Sequence, residues 1–233
     1  MTRWNSDLQQ YFGDEGPLLL LLDLDGTLID SVPDLTTAVD QMLAALQRPL
    51  AGRTKVSHWI GNGADLLVRR ALCDGDEQAA NALTTAEVQP ARALFDKAYL
   101  NALHHATGAF DGVEDWLAMV DVPKVLITNK PRLFTVPLIE SLGWSGHFVQ
   151  LLCGDDLAEK KPSPAPLFHA CELHNVPPAL TLMVGDSRND IQAARAAGIA
   201  SAAVTYGYNH GEDIQGSQPD WVISNLLQLL ASR

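Results

Sequence analysis

Residues 18–22 are five consecutive leucines, and the run stops at Asp23, with a second carboxylate at Asp25 and a turn signal at Gly26-Thr27. A short apolar run closed by a turn predicts a central strand buried on both faces of a parallel sheet. Leucine is not a strong strand former, so this expectation rests on context rather than propensity. Ser31 as cap, with Asp34 three residues on, predicts a helix start, and Leu35, Ala38, Val39, Met42, Leu43 and Leu46 then recur at helical spacing. Residues 48–53, with Pro49 and Gly52, break that pattern. Trp59-Ile60-Gly61-Asn62-Gly63 reads as a flexible loop, 64–72 as a helix and 85–106 as a longer one, with Pro90 tolerable only near its first turn. No strand pattern lies between 34 and 106, which predicts a small helical domain inserted after the first strand.

From about residue 109 strands and helices alternate. Strands are expected over 124–128, 148–153, 181–185, 202–205 and 221–223. Helices are expected over 131–142, from Ser163-Pro164 onward, and over 188–197, with Gly143 and Gly198 as stops. Alternation of this kind predicts parallel pairing with right-handed crossovers. The expected fold is α/β, a doubly wound Rossmann-like parallel sheet with strand order 3-2-1-4-5 and an inserted α-helical cap domain. Residues 1–30 and 107–233 would form the core and residues 31–106 the cap.

Composition narrows the partners. The 233 residues are 47% hydrophobic and 19% charged, with a net charge of −12. That charge argues against nucleic acid and anionic membranes, because both need basic surface. Cys73, Cys153 and Cys171 are too widely spaced for a zinc site or a disulfide framework and read as reduced thiols. The leucine run is too short for a signal peptide or a membrane span. A cytoplasmic protein, monomer or homodimer, is the expectation.

The chemistry lies at the strand ends. Strand one ends in Asp23 and Asp25, strand two in Thr128-Asn129-Lys130, and strand four in Gly185-Asp186 with Asp190 close behind, while Lys160-Lys161-Pro162 precedes strand four. In the predicted order these ends meet in one crevice. Carboxylates in contact repel by roughly 1–4 kcal/mol per pair, so Asp23, Asp25, Asp186 and Asp190 call for a cation, and oxygen ligands beside a phosphate suit Mg²⁺. Thr128, Asn129 and Lys161 are candidates for holding phosphate oxygens. Such a crevice could run a phosphoryl transfer in which Asp23 attacks phosphorus and Asp25 serves as acid and then base.

These segments resemble the haloacid dehalogenase superfamily of aspartate-nucleophile phosphatases. The resemblance is carried by Asp23-Leu24-Asp25-Gly26-Thr27, Ile127-Thr128-Asn129-Lys130-Pro131, Lys160-Lys161-Pro162 and Val184-Gly185-Asp186-Ser187-Arg188-Asn189-Asp190. Within the superfamily the chain is most similar to the phosphoglycolate phosphatases. The resemblance implies Asp23 as nucleophile and Asp25 as acid/base whose backbone carbonyl also binds metal. It further implies Asp186 as the third metal ligand, Asp190 supporting it, and a cap that closes over a small phosphate ester. His58, Asn62 and Arg69 are the cap's candidate substrate contacts. A sugar phosphomutase or a phosphatase for another small ester shares the core motifs. A phospho-receiver module would need its acid at the end of strand three, where Asp155 stands alone.

Overall fold

The computed structural model describes residues 2–231. Its strands are β1 (Leu19–Leu22), β2 (Ile29–Asp30), β3 (Gly108–Ala109), β4 (Lys124–Ile127), β5 (Gln150–Leu152), β6 (Thr181–Gly185), β7 (Ala200–Val204) and β8 (Trp221–Ile223). Its helices are α1 (Ser6–Phe12), α2 (Val32–Ala45), α3 (Gly52–Trp59), α4 (Ala64–Leu72), α5 (Glu77–Ala82), α6 (Thr85–Ala102), α7 (Val113–Met119), α8 (Arg132–Ser141), α9 (Ala165–His174) and α10 (Arg188–Ala197).

Six strands form one sheet in the order β5-β4-β1-β6-β7-β8, all pairs parallel. This is the doubly wound α/β architecture with the expected 3-2-1-4-5 order, extended by the sixth strand. The leucine run sits at its centre, with Leu19 to Leu22 fully buried. Leu20 and Leu22 join the cluster holding Trp116 of α7 and Phe134 and Leu138 of α8. Leu19 and Leu21 face the other way, onto Leu167 and Ala170 of α9 and Ala193 and Ala194 of α10. Each buried leucine contributes about 2 kcal/mol, which outweighs a strand-propensity deficit that is a fraction of the roughly 1 kcal/mol scale.

Helices α2 to α6 occupy residues 32–102 as one consecutive block. The chain leaves and re-enters the core through the antiparallel ribbon of β2 and β3, in register at Ile29↔Ala109 and Asp30↔Gly108. Asp34 reinforces this crossing by accepting the amides of Ala106 and Thr107 at 3.0 and 2.9 Å. Asp34 is therefore not half of a capping box, and Ser31, although it precedes α2, makes no capping bond.

Four helices, α1, α3, α5 and α7, have no counterpart among the expected elements. α1 buries only Leu8 and α5 only Ala80, so neither carries an apolar stripe. α3 begins at Gly52, inside the stretch whose proline and glycine suggest a break. Conversely α6 stops at Ala102 rather than 106, because Leu103 turns out of helical geometry. All three cysteines are free thiols. Among the described residues no helix is long and apolar enough to cross a membrane.

Candidate active site

Because every strand of the large sheet runs the same way, β1, β4 and β6 deliver their following residues to one edge, at the switch point between β1 and β6. The Asp23 amide donates to the Val184 carbonyl at 3.0 Å, which continues the ladder one residue beyond β1. The chain then doubles back through Gly26, whose φ of 88° suits a residue without a side chain. A Cβ there would come within 2.2 Å of the Asp186 carboxylate, and one at Gly207 equally close to the Asp186 Cβ. The two glycines let backbone close on Asp186 from two sides.

Lys161, 3% exposed, is the hub of the buried charges. Its ammonium donates to Asp23 Oδ1 at 2.7 Å, to Asp190 Oδ1 at 2.7 Å and to the Ile127 carbonyl at 2.5 Å. Burial opposes its charge, but Asp190 and Asp23 outweigh burial and hold its pKa above the ordinary lysine value. Asp190 Oδ2 accepts the Ser187 amide and hydroxyl, so the residue both caps α10 and pairs with Lys161. Asp186 accepts the Thr27 hydroxyl at 3.1 Å and the Tyr208 amide at 2.7 Å. Burial first, and then Asp190, push Asp186 up to about 7. Burial likewise raises Asp23 well above the carboxylate range, against the pull of Lys161.

Asp25 belongs to a second group. Its side chain accepts the Ser31 hydroxyl at 2.5 Å and the Lys130 ammonium at 2.9 and 3.1 Å. Lys130 also lies 4.8 Å from the centre of the Tyr99 ring on α6. Thr128 accepts the Lys130 amide at 3.1 Å, fixing the turn after β4. Asn129 donates to the Gly61 and Lys161 carbonyls, both at 2.9 Å.

The donor set fits a divalent cation. Asp23, Asp186 and Asp190 each offer a carboxylate oxygen within 4.8 Å of the others. Among the described residues, Lys161 and Lys130 are the ammonium groups that pair with these carboxylates, and none of the pairs reaches Asp186. Asp25 is not among the three by side chain.

Asp23 and Asp25 open onto a narrow cavity of about 40 Å³ between the sheet edge and the helical block, room for a few waters. Asp23, Asp25, Thr128, Asn129 and Lys130 form its floor, and Ile60, Gly61, Gly63, Leu67, Phe95 and Tyr99 lie across from them. The helical block is latched to the core here. The Gly61 carbonyl accepts from Asn129 and, at 3.2 Å, from Asn189, and His210 Nδ1 meets the His58 carbonyl at 3.2 Å.

His58, Asn62 and Arg69 do not line the cavity. The His58 ring lies against Gly211, Asn62 accepts from Arg70 at 3.0 Å, and Arg69 pairs with Asp65 at 2.6 Å. Lys160 makes none of the contacts of Lys161. Two residues of the arrangement carry no role in the sequence reading. Lys130 directly follows Thr128-Asn129, so its place at a converging strand end was the available signal. Tyr208, whose hydroxyl donates to Asp30 at 2.7 Å and whose amide holds Asp186, follows β7, so the same signal was available for it.

The latch carries a pH consequence. Burial, followed by Arg188 and Arg70, lowers the His210 pKa below the ordinary 6.5, against its bond to His58 and the charge of Glu212. The unfolded chain then takes up the proton more readily than the folded one, so stability is lost as pH falls below 6.5. His210→Asn suits the positive φ of 55° and removes that proton. Its melting temperature should fall less than that of the parent between pH 7.5 and 5.5; equal falls would exclude the effect.

A family model for haloacid dehalogenase-like hydrolases matches residues 18–198. The chain is 46% identical over 228 residues to "Phosphoglycolate phosphatase 1" of Pseudomonas aeruginosa, covering 97% of this chain and 83% of that one. It is 42% identical over 216 residues to the phosphoglycolate phosphatase of Nitrosococcus oceani, covering 91% and 95%. Among solved structures, a predicted phosphoglycolate phosphatase from Haemophilus somnus superposes with a TM-score of 0.83 at 36% identity, covering 89% and 94% of the two chains. With the sheet order, the strand-end acids and the family model in agreement, the chain belongs to the haloacid dehalogenase-like hydrolases.

Proposed function

We propose that the protein is a Mg²⁺-dependent phosphomonoesterase that hydrolyses 2-phosphoglycolate to glycolate and phosphate through an aspartyl-phosphate on Asp23. The observation that carries this reading is Asp23 itself, a buried carboxylate held by Lys161 on the floor of a cavity that Asp25 also lines. The relatives named phosphoglycolate phosphatase support the substrate.

In the first half-reaction an Asp23 carboxylate oxygen forms a bond to phosphorus as the ester P–O bond breaks, and Asp25 gives its proton to the departing glycolate oxygen. In the second, Asp25 takes a proton from water as the water oxygen attacks phosphorus, and the acyl-phosphate bond breaks to release phosphate and free Asp23. Lys161 offsets charge on the phosphate oxygens, Thr128 and Asn129 hold them, and Ser31 and Lys130 aim Asp25. Asp23, Asp186 and the Asp25 carbonyl would hold Mg²⁺, supported by Asp190, and the ion would supply charge neutralisation for the phosphoryl group. Residues 31–106 act as the cap, and the β2–β3 ribbon with the Asp34 bonds is the hinge on which it opens.

The narrowness of the cavity, about 40 Å³, favours a two-carbon ester over a bulkier sugar phosphate. Asp155 is exposed and accepts the Arg132 amide, which speaks against a phospho-receiver module. Phosphate release across a dozen small esters, with Mg²⁺ and with chelator, tests the proposal. 2-Phosphoglycolate should lead the panel and chelator should abolish turnover; a sugar phosphate in first place would overturn the substrate.

A further inference from the structure

We propose that Tyr99, with Lys130 and the first turn of α4, forms a seat for a carboxylate carried one carbon from the ester oxygen, and that Tyr99 thereby sets specificity. The proposal deepens the phosphomonoesterase reading and rests on it.

Helix α4 is nine residues long and opens at Gly63 with no side-chain cap. Gly63 and Ala64 line the cavity, so the uncapped first turn faces the place a substrate would occupy. Free amides at a helix start favour an anion. A second observation points the same way. Tyr99 is 1% exposed and lines the same cavity, and its buried hydroxyl has no well-directed hydrogen-bond partner. Burial pushes this phenol up to about 12, so it is a neutral donor at physiological pH. The unpaired Asn129 Oδ1 is an acceptor and does not serve an anion.

Lys130 supplies the register. Two of its protons go to the Asp25 oxygens, at 2.9 and 3.1 Å, and the third lies toward the Tyr99 hydroxyl, which leaves the phenol proton free to donate. If Asp25 meets the ester oxygen, a carboxyl carbon two bonds of about 1.5 Å beyond that oxygen comes level with the ammonium. The surrounding wall of Leu35, Ile60, Leu67, Phe95 and Phe134 offers nothing else to a charged group. A substrate with a methyl in place of the carboxylate would leave the amides and the phenol proton unpaired.

The test compares kcat/KM for 2-phosphoglycolate with that for ethyl phosphate, with Mg²⁺, in the parent protein and in Tyr99→Phe. The parent should prefer 2-phosphoglycolate by at least about a hundredfold, and Tyr99→Phe should cut the preference about tenfold, mainly through KM. The ratio is internal to each protein, so an equal loss on both substrates leaves it unchanged and overturns the inference. A parent without the preference overturns both the inference and the proposed substrate. A parent preference that survives intact in Tyr99→Phe removes this inference alone. Should Tyr99→Phe be inactive on both esters, Ala64→Pro decides. It deletes one first-turn amide where proline suits a helix start, and an undiminished ratio there overturns the seat.

Discussion

Asp23→Asn should release no measurable phosphate from 2-phosphoglycolate, a loss of at least about 10⁴-fold in kcat. Removing the nucleophile of a covalent mechanism costs on that order even when binding survives. Acid quenching of the parent protein with labelled substrate should trap a phosphoryl group on Asp23, and the variant should carry none. The fold should not suffer. Asp23 has its pKa raised by burial, so the folded protein binds that proton more tightly than the unfolded chain, and the ionised carboxylate costs stability above the ordinary value of 3.8. An amide removes that cost, and the melting temperature should hold or rise. Turnover within tenfold of the parent would refute the nucleophile.

Lys161→Met should damage activity and stability together. The ammonium pairs two buried carboxylates and one carbonyl, and deleting one partner of a buried ion pair costs about 3–5 kcal/mol. For a chain of this size that is a fall of roughly 6–20 °C in melting temperature. Activity should drop by about 10²–10³-fold, the effect of losing one preorganised donor to transition-state charge. Adding Asp23→Asn to the same chain should restore part of the stability, because the two residues touch and their effects do not add. Strict additivity in the melts would mean that Lys161 stabilises by some other route.

Much of the core was legible because its signals are local. The five leucines needed only to be counted, and Gly198 marks the stop of α10. Parallel alternation then leaves few arrangements, so the sheet order and the meeting of Asp23, Thr128 and Asp186 followed from topology rules. The failures share a cause. Ser31 and Asp34 fit a capping pattern, yet the serine hydroxyl goes to Asp25 and the Asp34 carboxylate to amides more than 70 residues away. A side chain that can be satisfied locally or at long range shows no preference in its own segment.

The cap drew the weakest reading for the same reason. His58, Asn62 and Arg69 are polar residues in the right stretch of chain, but each is engaged with Gly211, Arg70 or Asp65 rather than facing the cavity. Tyr99, apolar by its neighbours' periodicity, is the cap residue that meets a core ammonium.

Burial of an unbroken apolar strand and the handedness of crossovers admit few alternatives, so the sheet, its strand order and the set of acids at its edge follow from the residues alone. Which acid each lysine serves, and which residues of the helical block reach the cavity, emerged in three dimensions. Those pairings depend on ångström distances between segments far apart in the chain, and electrostatic energies inside a buried site change steeply over such distances.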